Sequence, residues 1–334
     1  MFRRTTTAAV FDEYGGPEVV RIEQVPRPEA AAGQVVVKVV SAGVAHMDAY
    51  VREGRFQDAL QLRLPSRQGV GFAGIVRAVG HGVHGFRVGD EVFGHDPAHG
   101  AHATHVAVDA GAVVKKPPRL GWEVAGALYL TGLTAYSLVQ SVRLHADDVV
   151  LVSAAAGGVG HLECQLAALS GARVIGIAGR ENHDYLRSIG VRPVGYGDDL
   201  AGQVEKAAGG RRVTAMFDNY GRYDELAASL GLSGDRFVST ERRRDREIEL
   251  WRAGPDPSLA LQLRDVAELV SEWNVRVLVS GFYPFTALDR ALADLAEGHS
   301  RGVVVVGMDT TAPAPEYLRG KLRTHHEAGA GAGG

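Results

Sequence analysis

The stretch Val149-Val-Leu-Val-Ser-Ala-Ala-Ala-Gly-Gly-Val-Gly160 decides the fold of this chain. Its β-branched start predicts a buried strand over 149–153, and the apolar periodicity of 162–170 predicts a helix directly after the glycines. A glycine-rich turn between a buried strand and a helix is the arrangement that binds the paired phosphates of a dinucleotide. We therefore predict a phosphate-binding turn at the start of an α/β unit.

The turn carries the pattern A-x-G-x-x-G, with Ala155, Gly157 and Gly160 at the fingerprint positions. Glycine at 157 lets the backbone approach a pyrophosphate, and glycine at 160 lets the helix lie close to the strand. The first N–H groups of the helix then face the phosphates. The alternative is a tight turn without a ligand, which the flanking strand and helix disfavour. The predicted cofactor-binding residues of the turn are Ala155, Ala156, Gly157, Gly158, Val159 and Gly160.

The end of the next predicted strand indicates which cofactor binds. NAD sites usually place Asp or Glu about 20 residues after the glycines, where it holds the ribose 2′-hydroxyl. Here the strand ends Ala178-Gly179-Arg180, and the guanidinium of Arg180 suits a 2′-phosphate. Glu181 could instead serve NAD, and Arg180 could be a solvated surface charge. We favour NADPH as the cofactor.

The rest of the chain divides into two regions with different sequence patterns. From about Trp122 onward, apolar runs alternate with helical periods, which predicts a parallel, doubly wound sheet. Its further strands are predicted at 173–178, 215–218, 236–239 and 275–279. Between about Ala8 and Lys115, short strands broken by glycines predict a β-rich, barrel-like domain. These strands are predicted at 35–40, 74–79, 90–93 and 104–108. A late helix over 287–297 and a strand over 303–306 could belong to either domain.

The composition suits two folded domains and argues against several partners. The chain has 334 residues, 46% of them hydrophobic and 22% charged, so a sizeable core is expected. The net charge of -3 gives no basic field for nucleic acid or a membrane surface, and we find no signal peptide or bilayer-spanning apolar run. The single cysteine, Cys164, cannot form an intrachain disulfide; it fits a reducing cytoplasm and is expected to be an inert core residue.

Several short motifs follow one another along nearly the whole chain in the order typical of one family. They are Tyr14-Gly-Gly-Pro-Glu18, Ala42-Gly-Val44 with Asp48, Val88-Gly-Asp-Glu-Val92, Thr131-Gly-Leu-Thr-Ala-Tyr136, Ala155-Ala-Gly-Gly-Val-Gly160, Asp218-Asn-Tyr-Gly221 and Gly298-His-Ser-Arg-Gly302. The set resembles the zinc-independent quinone oxidoreductases of the medium-chain dehydrogenase/reductase superfamily. The resemblance implies a GroES-like catalytic domain formed by 1–121 and 273–320, a Rossmann NADP-binding domain over 122–272, and a homodimer. We expect 321–334 to be a flexible tail.

The resemblance also assigns roles to single residues. Tyr196 matches a tyrosine that sits beside the 2′-phosphate, and Thr134 matches a threonine that packs near the nicotinamide. Tyr50 matches a tyrosine that faces the substrate cleft in many such reductases. The alternative for Tyr50 is a half-buried packing residue.

The chain departs from the zinc-bearing relatives at their ligand positions. It has Ala45-His46 where they have Cys-His, and Val70-Gly71 where they have His-Glu. A catalytic zinc needs three protein ligands, so His46 alone cannot hold one and we expect no metal. Metal-free relatives usually show Asn-Pro at 45–46; His46 could therefore donate a proton to a substrate oxygen, or it could line the pocket wall. Val303 stands where the family often has lysine.

Two further segments invite a functional interpretation. His95, His99, His102 and His105 have spacings that would place them on one helical face, as a metal site would require, but the flanking residues predict a loop and a strand instead. The run of mixed charge over 241–247 predicts a solvated loop; the alternative is that its arginines, Arg242 to Arg246, bind an anionic handle of the substrate.

We predict that the chain reduces a quinone or an α,β-unsaturated carbonyl compound with NADPH. Conjugation spreads the developing charge onto oxygen, so hydrogen bonds from Tyr50, His46 or a backbone N–H would suffice without a metal. One alternative is a non-reductive or carbonyl-reducing biosynthetic enzyme on the same scaffold. Another is a cofactor-binding structural or RNA-binding protein, which the slightly acidic composition disfavours.

Overall fold

The structure is a computed structural model that describes residues 4–60, 62–197, 199–240, 256–298 and 300–308. The mixed-charge run over 241–247 and the tail over 321–334 lie outside the described residues. The strands are β1 (Thr5–Phe11), β2 (Arg21–Pro26), β3 (Gln34–Val44), β4 (Ser66–Arg67), β5 (Gly71–Val79), β6 (Glu91–His95), β7 (His105–Asp109), β8 (Val113–Lys115), β9 (Val149–Val152), β10 (Arg173–Ile177), β11 (Arg192–Val194), β12 (Ala215–Asp218), β13 (Phe237–Ser239), β14 (Val279–Pro284) and β15 (Val303–Gly307).

Helices connect and cover these strands. They are α1 (His46–Arg52), α2 (Gln57–Leu60), α3 (Trp122–Val142), α4 (Gly160–Leu169), α5 (His183–Ser188), α6 (Leu200–Ala208), α7 (Asp224–Ser229), α8 (Pro257–Ser271) and α9 (Leu288–Ala296). None of those that the structure describes is long and apolar enough to cross a membrane.

The second half of the chain forms a parallel sheet in the order β11-β10-β9-β12-β13. Every residue of the central strand β9 is buried. Val150 and Val152 belong to the core on one face of the sheet, whereas Val149 and Leu151 belong to the core on the other. Burial on both faces is what an uninterrupted apolar strand predicts, and the doubly wound α/β architecture is confirmed.

The first half of the chain is rich in antiparallel strands, as its glycine-broken sequence predicts. One sheet runs in the order β14-β15-β3-β5-β6-β8, with β7 also paired to β3, and a smaller sheet has the order β2-β1-β4. Strand β15 pairs antiparallel with β3, matching Val306 to Ala42. The late strand, which could have belonged to either domain, therefore extends the sheet of the first, and the helix before it packs on the core of the same half.

One predicted strand is wrong in its position. The apolar run at 275–279 predicts a strand, but β14 begins only at Val279. The backbone just before it is bonded to side chains of α4 instead: Gln165 accepts from the N–H of Arg276 and donates to its carbonyl, and the ring of His161 accepts from the N–H of Leu278. Side-chain partners satisfy this backbone, so it does not need a neighbouring strand.

Helix α3 contacts both halves of the molecule. Near its start it packs closely on β3, where a Cβ added at Gly43 would lie 2.9 Å from the Cα of Ala127. The hydroxyl of Ser41 donates to the carbonyl of Trp122 at the same contact. Farther along, α3 packs against α4 and α8. The helix therefore fixes the antiparallel sheet against the parallel one.

Candidate functional site

The glycine turn between β9 and α4 has the close packing that its sequence predicts. Ala154 has a positive φ of 46°, and the N–H of Gly157 donates to its carbonyl at 2.9 Å. A Cβ at Gly160 would lie 2.4 Å from the same carbonyl oxygen, closer than real Cβ atoms come. Glycine is thus required at 160 so that α4 can start directly against the turn.

The turn presents free backbone donors at the start of α4. Within the described residues, the N–H groups of Gly158, Val159 and Gly160 form no hydrogen bond. Gly158 lies in a narrow space, because an added Cβ would be 3.3 Å from Cγ2 of Thr131 and 3.4 Å from the carbonyl oxygen of Gly302. Unpaired N–H groups at the positive end of a helix bind anions, so the turn fits the pyrophosphate of a dinucleotide.

A buried polar network joins the turn to the end of β12. The hydroxyl of Ser153 donates to Asp218 and accepts from the N–H of Asn219. The carboxylate of Asp218 also accepts from the N–H groups of Tyr220 and Gly221. These bonds hold the Asp218-Asn-Tyr-Gly221 segment in a tight turn at the same sheet edge as the phosphate turn. The network therefore gives a fixed shape to the region beside the cofactor site.

Glu163 is an ionisable residue in the middle of this packing. It lies on α4, is completely buried, and accepts a hydrogen bond from the side-chain amide of Asn219. Its Oε1 and the Oδ1 of Asn219 have no hydrogen-bond partner in the part of the chain that the structure describes. Burial raises the pKa of the Glu163 carboxyl to about 8, although the bond from Asn219 opposes the shift. Glu163 is therefore protonated at neutral pH.

His161 fastens the phosphate turn to the neighbouring backbone. Its Nδ1 lies 2.8 Å from the carbonyl oxygen of Gly157, and its Nε2 accepts from the N–H of Leu278 at 3.2 Å. These partners require a neutral ring that carries its proton on Nδ1. Burial lowers the pKa of His161 to about 4, which is consistent with that neutral form.

Arg180 and Tyr196 follow two neighbouring parallel strands. Ile177 of β10 pairs with Val194 of β11, so both residues come just past the same sheet edge as the phosphate turn. Arg180 is exposed and forms no ion pair within the described residues. Tyr196 is half-exposed, and burial together with Tyr220 and Glu181 raises the pKa of its phenol. The structure thus places the two predicted residues of the 2′-phosphate site at one edge.

A small cleft adjoins the phosphate turn where α3 meets β3 and β15. Its walls are mainly small and apolar and include Gly43, Ala45, Asp48, Leu130, Thr131 and Val303. The predicted Thr134 lies about one turn beyond Leu130 and Thr131 on α3. Periodicity alone does not distinguish Thr131 as a cleft residue, because every third or fourth residue of an apolar helix shares a face.

Asp48 lines the same cleft and was also not selected from the sequence as a site residue. Its carboxylate accepts from the N–H of Ala45 at 2.8 Å and so caps α1. Burial raises the pKa of the Asp48 carboxyl, while the nearby His102 opposes that shift. A family motif contains Asp48, but only the tertiary structure brings it beside Gly43, Gly71 and Thr131 in the wall of a cleft.

The two predicted catalytic residues lie side by side on α1. His46 is exposed, Tyr50 is half-buried, and their ring centroids are 6.3 Å apart. The guanidinium of Arg55 lies 4.2 Å from the centre of the Tyr50 ring. Ala45 and Asp48, from the start of the same helix, line the cleft itself. The residues that line the cleft do not include His46 or Tyr50, so contact of these two side chains with a substrate stays a prediction.

The four clustered histidines lie on a strand end, a loop and the next strand, as their flanking residues predict. His95 stacks on Tyr129 with ring centroids 4.1 Å apart, and burial lowers the pKa of His95 and of His99 to about 4. His102 lies 2.8 Å from the carbonyl oxygen of Gly43. Over the described ranges, no group of three or more His, Cys, Asp or Glu residues could hold a metal ion.

Two family descriptions match this chain. They are the alcohol dehydrogenase GroES-like domain over residues 31–118 and the zinc-binding dehydrogenase over residues 147–306. The chain is 32% identical to the quinone oxidoreductase of Salmonella typhimurium over 230 residues, which cover 67% of this chain and 68% of that protein. It is also 32% identical to quinone oxidoreductase 1 of Escherichia coli over 222 residues, or 65% and 66% of the two chains.

Solved structures agree with these relatives. The quinone oxidoreductase from Coxiella burnetii superposes with a TM-score of 0.80 at 28% identity, covering 92% of this chain and all of that one. The Escherichia coli quinone oxidoreductase complexed with NADPH gives a TM-score of 0.79 at 25% identity, covering 90% and 99%. The zinc named in one family description does not fit the residues of this chain, since Ala45, Val70 and Gly71 have no metal-binding side chains.

Proposed function

We propose a function on the premise that this chain belongs to the quinone oxidoreductase family of the medium-chain dehydrogenase/reductase superfamily. It is an NADPH-dependent oxidoreductase that reduces a quinone or an α,β-unsaturated carbonyl compound without a catalytic metal. The observation that carries the proposal is the phosphate turn, with its unpaired N–H groups at Gly158, Val159 and Gly160.

The chain offers a separate group of residues to each part of NADPH. The N–H groups of the turn at 155–160 bind the pyrophosphate. Arg180 and Tyr196 contact the 2′-phosphate, with Arg180 supplying the charge. Thr134, on the same helix face as Thr131, contacts the nicotinamide end beside the cleft. These residues follow the sheet edge from β11 to β9 and end at α3. A dinucleotide crosses the carboxyl edge of such a sheet in the same direction.

NADPH supplies a hydride when it is bound. The chain positions the acceptor: the small walls of the cleft exclude water and hold a flat conjugated molecule against the cofactor site. Tyr50 donates a hydrogen bond from Oη to the substrate oxygen, and His46, which is exposed, exchanges its proton with solvent and returns one to the product. A conjugated acceptor spreads its developing charge, so these bonds suffice where other members of the superfamily use zinc.

The activity is tested by NADPH oxidation against a panel of quinones, conjugated enones and simple saturated ketones. We expect turnover of the first two classes and little turnover of the third. Addition of a chelator is expected to leave the rates unchanged. An enzyme that binds NADPH tightly but turns over no quinone and no enone would refute the reductase proposal.

The role of Tyr50 is tested by Tyr50→Phe, which removes only the phenolic oxygen. We expect kcat to fall at least about tenfold while the KM for NADPH stays the same, because the lost bond forms to the reacting oxygen. His46→Gln is the companion variant, and it separates a proton donor from a hydrogen-bond donor through its pH profile. An unchanged kcat for Tyr50→Phe would assign that tyrosine to packing.

Three features of organisation remain proposals. We propose that residues 1–121 and 273–320 form the catalytic domain and 122–272 the cofactor domain; the joining of β14 and β15 to β3 supports this division. We propose a homodimer, which sedimentation would test. We also propose a reducing cytoplasmic location, which rests on the single cysteine of the chain.

A further inference from the structure

A short segment that leads into β15 contacts the phosphate turn, and we name residues 301–303 the strap. Gly302 donates its N–H to the carbonyl of Ala156 in the phosphate turn at 2.8 Å, and it forms a parallel bridge with Gly157. Val303 donates its N–H to the carbonyl of Leu278 and lines the cleft. The strap therefore touches both the phosphate turn and the substrate cleft.

The backbone of the strap has little freedom to move. Gly302 has a positive φ of 78°, and a Cβ added there would lie 2.0 Å from the carbonyl oxygen of Leu278. That oxygen belongs to the backbone that His161 and Gln165 hold in place. Only glycine fits this position, so the strap has a single register against the phosphate turn.

Arg301 extends from this fixed segment to the turn that carries Arg180. Its Nε donates to Oδ1 of Asn182 at 2.6 Å, and its Nη2 donates to the carbonyl of Glu181 at 2.9 Å. The residues from Arg180 to Asn182 form a single short turn after β10. Arg301 thus joins that turn to the phosphate turn through the rigid backbone of Gly302.

We propose that Arg301 is a positioning residue for recognition of the 2′-phosphate, which it serves by holding the turn at 180–182 at a fixed distance from the pyrophosphate seat. The inference rests on the proposed NADPH-dependent function and deepens it. NADPH carries a pyrophosphate and a 2′-phosphate, so it must bind the phosphate turn and the turn at 180–182 at the same time. The strap sets the spacing between these two turns. NADH has no 2′-phosphate and binds only the phosphate turn, so the spacing affects its affinity much less.

The test measures the dissociation constants of NADPH and NADH for wild type and Arg301→Ala. We expect Arg301→Ala to weaken NADPH about tenfold and NADH less than about twofold, with kcat unchanged at saturating NADPH. Competition by adenosine 2′,5′-bisphosphate should weaken in parallel, while competition by 5′-AMP should not. Arg301→Lys replaces the guanidinium, which donates two hydrogen bonds, with a single ammonium. It should recover part of the preference for NADPH over NADH that Arg301→Ala loses.

Two further variants separate positioning from direct contact with the phosphate. Asn182→Ala removes the anchor and leaves the charge of Arg301 intact; it should weaken NADPH selectively as well. In an Arg180→Ala background, Arg301→Ala should change NADPH and NADH binding equally, because the residue through which it acts is gone. A selective loss of NADPH that persists in that background would overturn the positioning role.

A matched control lies on the adjacent helix. Arg187 is an exposed arginine of α5 that pairs with Asp184, and Arg187→Ala should leave both affinities unchanged. Equal weakening of NADPH and NADH by Arg301→Ala would refute the inference. Failure of the wild-type chain to bind NADPH would instead refute the proposed function, so the two failures are distinguishable.

Discussion

Glu163→Gln gives the sharpest prediction about the packing behind the cofactor site. The wild-type carboxyl accepts from the amide of Asn219, and an oxygen on each side chain is left without a partner among the described residues. Glutamine has nearly the same shape, and it can accept from one end of the Asn219 amide while donating to the other. The variant therefore keeps the packing and removes the titration.

The magnitude follows from the shift of the pKa. Glu163 ionises near 4.5 in the unfolded chain, whereas burial raises its pKa in the folded protein to about 8. Below pH 4.5 the carboxyl is protonated in both the folded and the unfolded protein, and its full contribution to stability is present. Above pH 4.5 the unfolded chain releases a proton that the folded protein keeps. Stability therefore falls as pH rises towards 8. The slope is about 1.4 kcal/mol per pH unit, or about 4 kcal/mol between pH 5 and pH 8.

The assay is urea unfolding of wild type and Glu163→Gln at a series of pH values across this window. The difference between the two free energies of unfolding is expected to grow by about 4 kcal/mol, an upper limit, in favour of the variant as pH rises. Glu205→Gln, on the exposed face of α6, is the matched control and should follow wild type. Parallel curves for wild type and Glu163→Gln would show that the folded protein holds an ionised carboxylate.

Three other perturbations have expected outcomes. Gly160→Ala places a Cβ 2.4 Å from a backbone oxygen, so we expect a loss of about 1–3 kcal/mol in the free energy of unfolding and weaker NADPH binding; unchanged values for both would contradict the close packing. His95, His99 and His161 are buried and have pKa values of about 4 when folded and 6.5 when unfolded, so each contributes stability that is lost, up to about 3 kcal/mol, as pH falls from 6.5 to 4. Urea unfolding of Glu163→Gln, in which the buried carboxyl no longer titrates, measures their combined loss, and a stability that does not fall over this range would contradict the three neutral rings. Cys164 is fully buried and burial raises the pKa of its thiol, so a disulfide reagent should label the unfolded chain but not the native one.

Much of the proposed cofactor site rests on signals that are local in the sequence. The strand, the glycines and the helix at 149–170 lie within a single α/β unit, and Arg180 lies in the short turn that follows the next strand. Backbone geometry alone requires glycine at 160, so the residue type reveals the conformation. The cleft that we propose for the substrate could not be predicted in the same way. Asp48 and Thr131 belong to elements that many folds could orient differently, and nothing in their own neighbourhood distinguishes a cleft wall from a core.

The sequence by itself determined three things: the division into a β-rich region and an α/β region, the parallel sheet, and the phosphate turn. Each follows from side-chain periodicity or from a glycine whose backbone conformation other residues cannot adopt. The tertiary structure alone decided that β15 pairs with β3, that Glu163 meets Asn219 across 56 positions, and that Arg301 reaches Asn182 across 119. Such contacts depend on which surfaces the whole chain buries together. Local preferences carry no information about a partner that far along the chain, because its proximity is set by the packing of α3, β9 and β15.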